Sequence, residues 1–167
     1  MNSSEDRLLL FLDVDGPLLP FGDGVQFELS DTAADSHLAR LDPQVGPRLA
    51  ALSCDLVWAT TWEEKANTEI APRIGLPRLP VVNWPDPSAA HEREDKWFGL
   101  HWKTRTLVVW AAGRPFAWVD DEITDADREW VATNHSAPAL LHRVIASRGL
   151  TEQDFTALDQ WRRSIRR

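Results

Sequence analysis

Short apolar runs alternate along the chain with segments whose apolar residues recur at helical spacing, the pattern of strands and helices taking turns. Residues 8–13 read as a buried strand that closes on an acid, Asp13. Asp42-Pro43 supplies a cap and a first-turn proline for a helix to about residue 53. A second strand is expected over 55–60, then a helix over 62–74 stopped by Gly75 and Pro77. Residues 79–83 form a third short strand and 85–90 a loop. Residues 103–112 are read as helix, because two parallel strands need a crossover between them. A fourth strand over 116–119 runs into Asp120-Asp121. A helix over 124–133, a fifth strand over 139–144 and a last helix to about 164 complete the chain. Thr151 caps that last helix, with Asp154 standing where a capping box carries glutamate.

This alternation specifies an α/β domain with a parallel sheet. The 167 residues suit one domain, 1–167, able to bury a core without staples. One irregular insert, 17–41, holds Phe21-Gly22-Asp23-Gly24, a turn or small flap over the end of the first strand. The lone cysteine, Cys54, lies in an apolar run and points to a reducing, cytoplasmic compartment. No stretch approaches the roughly 20 apolar residues of a membrane span. The polar, acidic start and the short apolar run after it do not make a signal peptide. A net charge of −8 argues against bulk nucleic-acid binding. The arginines Arg162, Arg163, Arg166 and Arg167 read as the solvated end of the last helix, favoured by its dipole. There are nine tryptophans and no tyrosine. Trp58, Trp110 and Trp118 sit in apolar runs and are expected in the core, whereas Trp62, Trp84, Trp97 and Trp102 are candidates to line a cleft.

Ligands of open α/β sheets bind beyond the C-terminal strand ends, and three such ends carry chemistry. Asp13-Val14-Asp15-Gly16 places two carboxylates at one mouth, suited to nucleophilic attack, proton handling and a hard cation, with Gly16 turning the chain away. A calcium loop is excluded by spacing, since its fifth and twelfth positions fall on Pro17 and Gly24. Thr60 and Thr61, at a strand end before a helix, are hydroxyl donors for a phosphate oxygen beside free backbone N–H groups; plain helix capping by Thr61 is the competing reading. Asp120-Asp121 is a pair of adjacent carboxylates that a cation would neutralise; an exposed acidic turn is the alternative. Lys103, just before the crossover helix, is favoured over Lys96 as the lysine facing a phosphate.

The order Asp13-x-Asp15-Gly16, strand-end Thr60, a lysine and Asp120-Asp121 resembles the four motifs of the haloacid dehalogenase (HAD) superfamily. Trp58-x-Thr60-x-Trp62-Glu63 with Ala66-Asn67, and Arg114-Pro115-Phe116-Ala117-Trp118, look like small bacterial HAD domains, some associated with RNA repair. The resemblance implies a doubly wound, Rossmann-like three-layer sandwich with a five-stranded parallel sheet and little or no cap. It implies Asp13 as nucleophile forming an aspartyl-phosphate, Asp15 as general acid and base, and Thr60 binding phosphoryl oxygens. Thr61 would stand where relatives often carry glycine or asparagine, and Lys103 would steady the intermediate. Mg²⁺ would sit on Asp13, the Asp15 carbonyl and one of Asp120 and Asp121. An open, capless site leaves specificity to the insert 17–41 and the loop 85–94. Arg143 and Arg148 are read first as surface residues and second as substrate contacts.

The expected function is Mg²⁺-dependent hydrolysis of a phosphate monoester, the substrate a nucleotide or other small phosphorylated molecule. A polynucleotide end-processing phosphatase is the alternative within the enzyme class. A phospho-acceptor or binding module without turnover is the alternative outside it. The receiver-type acceptor is disfavoured because its acceptor aspartate ends the third strand, where this chain has Asn83-Trp84.

Overall fold

The computed structural model describes residues 7–22 and 38–165. Four strands, β1 (Leu9–Leu12), β2 (Asp55–Trp58), β3 (Phe116–Asp120) and β4 (Ala139–Arg143), form a parallel sheet in the order β2-β1-β3-β4. Between them lie α1 (Val45–Ala50), a π-helical stretch Ala66–Ile70 that continues as α2 (Ala71–Ile74), α3 (Ala89–Phe98), α4 (Thr104–Ala111) and α5 (Asp125–Asn134). The helix α6 (Glu152–Ile165) follows the last strand.

The unbroken apolar character of β1 follows from its central place, with both faces covered. Leu10 and Leu12 face one core layer with Leu49 of α1, Ile74 of α2 and Leu158 of α6. Leu9 and Phe11 face the other, with Leu107 of α4 and Val131 of α5. Helices therefore cover both sides of the sheet, the doubly wound arrangement. Burying each such leucine contributes about 1.5–3 kcal/mol. The register then aims the chemistry. Leu12 lies beside Trp58 and Val119, so Asp13 emerges between the ends of β2 and β3.

The sheet departs from expectation at one edge. Residues 79–83 make a single bridge, Val81 beside Trp58, and no fifth strand is assigned among the described residues. Pro80 accepts from the Trp58 N–H at 2.9 Å, and the Val82 N–H donates back to the Trp58 carbonyl at 2.9 Å. Pro80 itself has no N–H to give, and prolines at 77 and 85 leave room for little more pairing. Asn67 holds this edge instead. Its Oδ1 accepts from the buried Trp58 indole (2.9 Å) and the Leu79 N–H (2.8 Å), and its Nδ2 donates to the Leu79 carbonyl (2.9 Å).

Other boundaries shift for local reasons. The helix expected from residue 62 starts at Ala66, because residues 61–64 form turns and Glu63 takes a positive φ of 51°. The loop 85–94 contains the start of α3, capped by Ser88, whose side chain accepts from the His91 N–H. None of α3 is buried, which is why its apolar pattern gave no helical signal. Trp110 is 36% exposed rather than core, while Trp58 and Trp118 are fully buried. The capping box at α6 is present: Thr151 N–H donates to Asp154 (2.8 Å) and Asp154 N–H to Thr151 Oγ1 (3.4 Å). Arg162 and Arg163 both pair with Asp159, one helical turn back. Most of the insert 17–41, with Asp23 and Gly24, and the residues Arg166 and Arg167 lie outside the described residues.

Candidate active site

Asp13 leaves the end of β1 and is almost wholly buried. Its backbone is pinned to β3 through its N–H and the Val119 carbonyl (3.1 Å). Asp120 ends β3, fully buried, with Asp121 next to it and partly exposed. Oxygens of Asp13, Asp120 and Asp121 lie within 4.8 Å of one another, so the structure brings the three carboxylates into one cluster.

Lys103 reaches this cluster from the start of α4. Its Nζ lies 2.8 Å from Asp120 Oδ2 and 3.3 Å from Asp13 Oδ1, and donates to the Ala59 carbonyl at 3.0 Å. Lys103 therefore ties together the ends of β1, β2 and β3. Lys96 sits exposed on α3 and makes no such contact.

One ammonium cannot neutralise three carboxylates. Burial, reinforced by the Asp120 charge and opposed by Lys103, pushes Asp13 up to about 8. Burial and the Asp120 charge push Asp121 up to about 6. Burial alone would lower the Lys103 ammonium, but Asp13 and Asp120 outweigh it and hold it above the ordinary lysine value. The result is a pocket of hard oxygen donors that are costly to ionise together without a cation. That donor set fits Mg²⁺, which prefers carboxylate oxygens.

Gly16 has a role that its sequence position only hinted at. It sits at φ +102°, and a Cβ there would lie 2.7 Å from Asp121 Cγ. Only glycine lets the turn after Asp15 and the Asp121 carboxylate share this space. Asp15 itself lies in that turn, its side chain accepting from the Trp62 indole at 3.1 Å.

Thr60 is buried at the end of β2, and its Oγ1 accepts from the Trp62 N–H at 3.2 Å. Its own O–H has no protein acceptor among the described residues. Thr61 is exposed and caps no helix, because the helix begins further on, at Ala66. The free helical N–H groups expected beside Thr60 are correspondingly displaced. Trp84 donates to the Thr60 carbonyl (3.0 Å) and meets Trp102 edge to face at 4.9 Å. Lys103 Nζ lies 5.5 Å from the Trp102 ring centre and 5.9 Å from that of Trp84. An open cleft of about 580 Å³ adjoins this pair, walled by Pro87, His91, Lys96, Trp102 and Arg105. Trp97, 83% exposed, is not among its walls. Arg143 donates to the Asp121 carbonyl at 3.1 Å, and Arg148 is exposed.

Two residues escaped the sequence reading. Asp127, fully buried in α5, accepts from the His101 N–H (2.8 Å), Thr104 Oγ1 (2.9 Å), and the Thr124 N–H (2.9 Å) and Oγ1 (3.1 Å). It clamps the segment carrying Lys103 to the helix that follows Asp120-Asp121. The Thr124-x-x-Asp127 spacing was a readable cap, but its long-range half was not. His101 orients the same segment, its Nδ1 accepting from the Lys103 N–H at 3.1 Å.

A family model described as the HAD domain in Swiss Army Knife RNA repair proteins matches residues 9–155. The chain belongs to this HAD family. The matched span runs from β1 into α6 and includes every carboxylate of the cluster together with Lys103. No curated protein and no solved structure matches the chain. Among the described residues, no helix is long and apolar enough to cross a membrane.

Proposed function

We propose that this HAD domain is a Mg²⁺-dependent phosphate-monoester hydrolase working through Asp13. The observation that carries the reading is Lys103 bridging Asp13 and Asp120 beside Asp121, a preorganised cluster of charged groups at the sheet's C-terminal edge.

In this reading an Asp13 oxygen attacks phosphorus and forms an aspartyl-phosphate. The bond from phosphorus to the leaving oxygen breaks, and that oxygen takes a proton from the Asp15 carboxyl. Water then attacks the phosphorus, loses its proton to Asp15, and releases Asp13 and inorganic phosphate. Thr60 donates its hydroxyl to a phosphoryl oxygen. Lys103 holds Asp13 in place and offsets charge on the intermediate. Mg²⁺, held by Asp13, the Asp15 carbonyl and Asp121, would supply positive charge to the phosphoryl oxygens. Asp121 is the better direct ligand of its pair. The oxygens of Asp120 are already engaged, Oδ2 by Lys103 and Oδ1 by the Glu122 N–H at 3.0 Å.

A small phosphorylated molecule or nucleotide is the substrate favoured by the net charge of −8. The RNA-repair description of the family and the Trp84–Trp102 pair at the mouth favour a second reading, a polynucleotide end. Salt dependence of KM separates the two, since a polyanion alone gives a steep slope. The first test is hydrolysis of 4-nitrophenyl phosphate with and without Mg²⁺, wild type beside Asp13→Asn. Turnover that needs both Mg²⁺ and Asp13 supports the reading; activity that survives Asp13→Asn assigns the wrong nucleophile.

A further inference from the structure

Trp62 stands one residue after the threonine pair, and its two N–H groups work in different directions. The backbone N–H donates to Thr60 Oγ1 at 3.2 Å, while the indole N–H donates to Asp15 Oδ2 at 3.1 Å. The ring is half-buried against the core layer that contains Leu12, Val14 and Trp58, so it is held rather than waving in solvent. The Asp15 backbone is equally constrained. Val14 O accepts from both the Leu18 and Leu19 N–H groups at 3.0 Å, and the Gly16 N–H donates to Leu19 O at 2.9 Å. A rigid backbone leaves the carboxyl torsion free, and among the described residues the Trp62 indole is the group that fixes it.

We propose that Trp62 is the positioning residue for proton transfer by Asp15, an inference that rests on the hydrolase reading above. An N–H donor on Oδ2 cannot share that lone pair with a proton. A protonated carboxyl accepts best through its carbonyl oxygen, so the indole on Oδ2 favours the transferable proton on Oδ1 and sets the carboxyl plane before substrate arrives. In the first step the bond from phosphorus to the leaving oxygen breaks, its electron pair stays on that oxygen, and the Oδ1 proton moves onto it. In the second step the attacking water returns a proton to Oδ1 as the Asp13–phosphorus bond breaks. The indole donates throughout and is never itself deprotonated. Through its backbone N–H the same residue holds the Thr60 hydroxyl, so the proton donor and the phosphoryl-binding hydroxyl are placed by one side chain and its own main chain.

Help to the leaving oxygen matters most when that oxygen is a poor leaving group, and this gives a readout that packing alone does not move. Wild type, Trp62→Phe, Asp15→Asn and the double variant are assayed with Mg²⁺ on glycerol 2-phosphate and on 4-nitrophenyl phosphate. Trp62→Phe is expected to lower kcat about 10-fold on the alkyl ester and less than about 2-fold on the aryl ester, with KM little changed on both. In the Asp15→Asn background the same substitution is expected to add nothing. Equal losses on the two esters, or a loss that persists without Asp15, would overturn the proposal. The indole ¹⁵N–¹H signal that disappears in Trp62→Phe gives a readout independent of turnover. It is expected to move in Asp15→Asn, and an unmoved signal overturns the contact itself. A wild type inert on both esters, with that signal still responsive to Asp15, brings down the hydrolase reading and the proton-delivery role with it while leaving the bond in place.

Discussion

Two sets of carboxylates, Asp127 and the cluster of Asp13, Asp120 and Asp121, are treated in opposite ways by this fold. Asp127 accepts four hydrogen bonds, two from backbone N–H groups and two from hydroxyls, and its charge is fully solvated by the protein. Asp13, Asp120 and Asp121 crowd together around one lysine, and burial, reinforced by the Asp120 charge, drives the pKa values of Asp13 and Asp121 upward. Burial therefore does not mark the site. Carboxyl groups that are costly to ionise together do, because a fold gains nothing from crowding them unless a ligand completes the set.

The largest effect expected to test this contrast is on turnover. On the mechanism proposed above, Asp13→Asn should lower kcat on an aryl phosphate by at least about 10³-fold. The stability effects of the two groups should then have opposite signs. Asp127→Ala strands two backbone donors and two hydroxyls in the interior and should cost about 3 kcal/mol or more in urea unfolding. Asp13→Asn should instead raise the Tm of the metal-free protein at pH 8. A fall in Tm there would mean that Lys103 compensates Asp13 more fully than its raised pKa implies.

The pH dependence sharpens the same point. A carboxyl whose folded pKa is raised holds its proton in the native state where the unfolded chain has lost it, so stability falls as pH rises. For Asp13 that window runs from the ordinary value of 3.8 to about 8, and for Asp121 from 3.8 to about 6. The metal-free wild type should lose stability across pH 4 to 8, and Asp13→Asn should flatten the upper half of that decline. Saturating Mg²⁺ should restore stability at pH 8, read as a rise in Tm with concentration. The smallest expected change in stability is Gly16→Ala. It should cost about 1–3 kcal/mol through its positive φ and the displaced Asp121, while weakening Mg²⁺ dependence more than folding.

Local signals in the sequence located most of the strands and helices of this fold. The continuous apolar run of β1 and the Thr151-x-x-Asp154 box each carry their meaning within a few residues. The same holds for Asp13, Thr60 and Asp120-Asp121, because a polar residue at the end of an apolar strand must emerge at the sheet's mouth. The helix expected to be capped at Asp42-Pro43 instead starts at Val45, with Gln44 as an N-cap that makes no side-chain bond. Asp42 accepts from the Gln44 N–H in the turn before it. The short edge at Val81 and the helix α3 were not legible. A single bridge depends on what β2 leaves unpaired, and a helix with no buried face carries no hydrophobic period.

By itself, then, the sequence determined which residues reach the C-terminal mouth of the sheet and which family they match, since strand-end position and motif order are properties of the chain. The tertiary structure alone decided how those residues share charge. Lys103 turned to Asp13 and Asp120 rather than to solvent, Asp127 became a clamp, and Trp62 reached Asp15 across 47 residues of chain. Hydrogen bonds and Coulomb forces act over ångströms of space, and chain separation carries no information about them until the sheet register brings the ends of β1, β2 and β3 together.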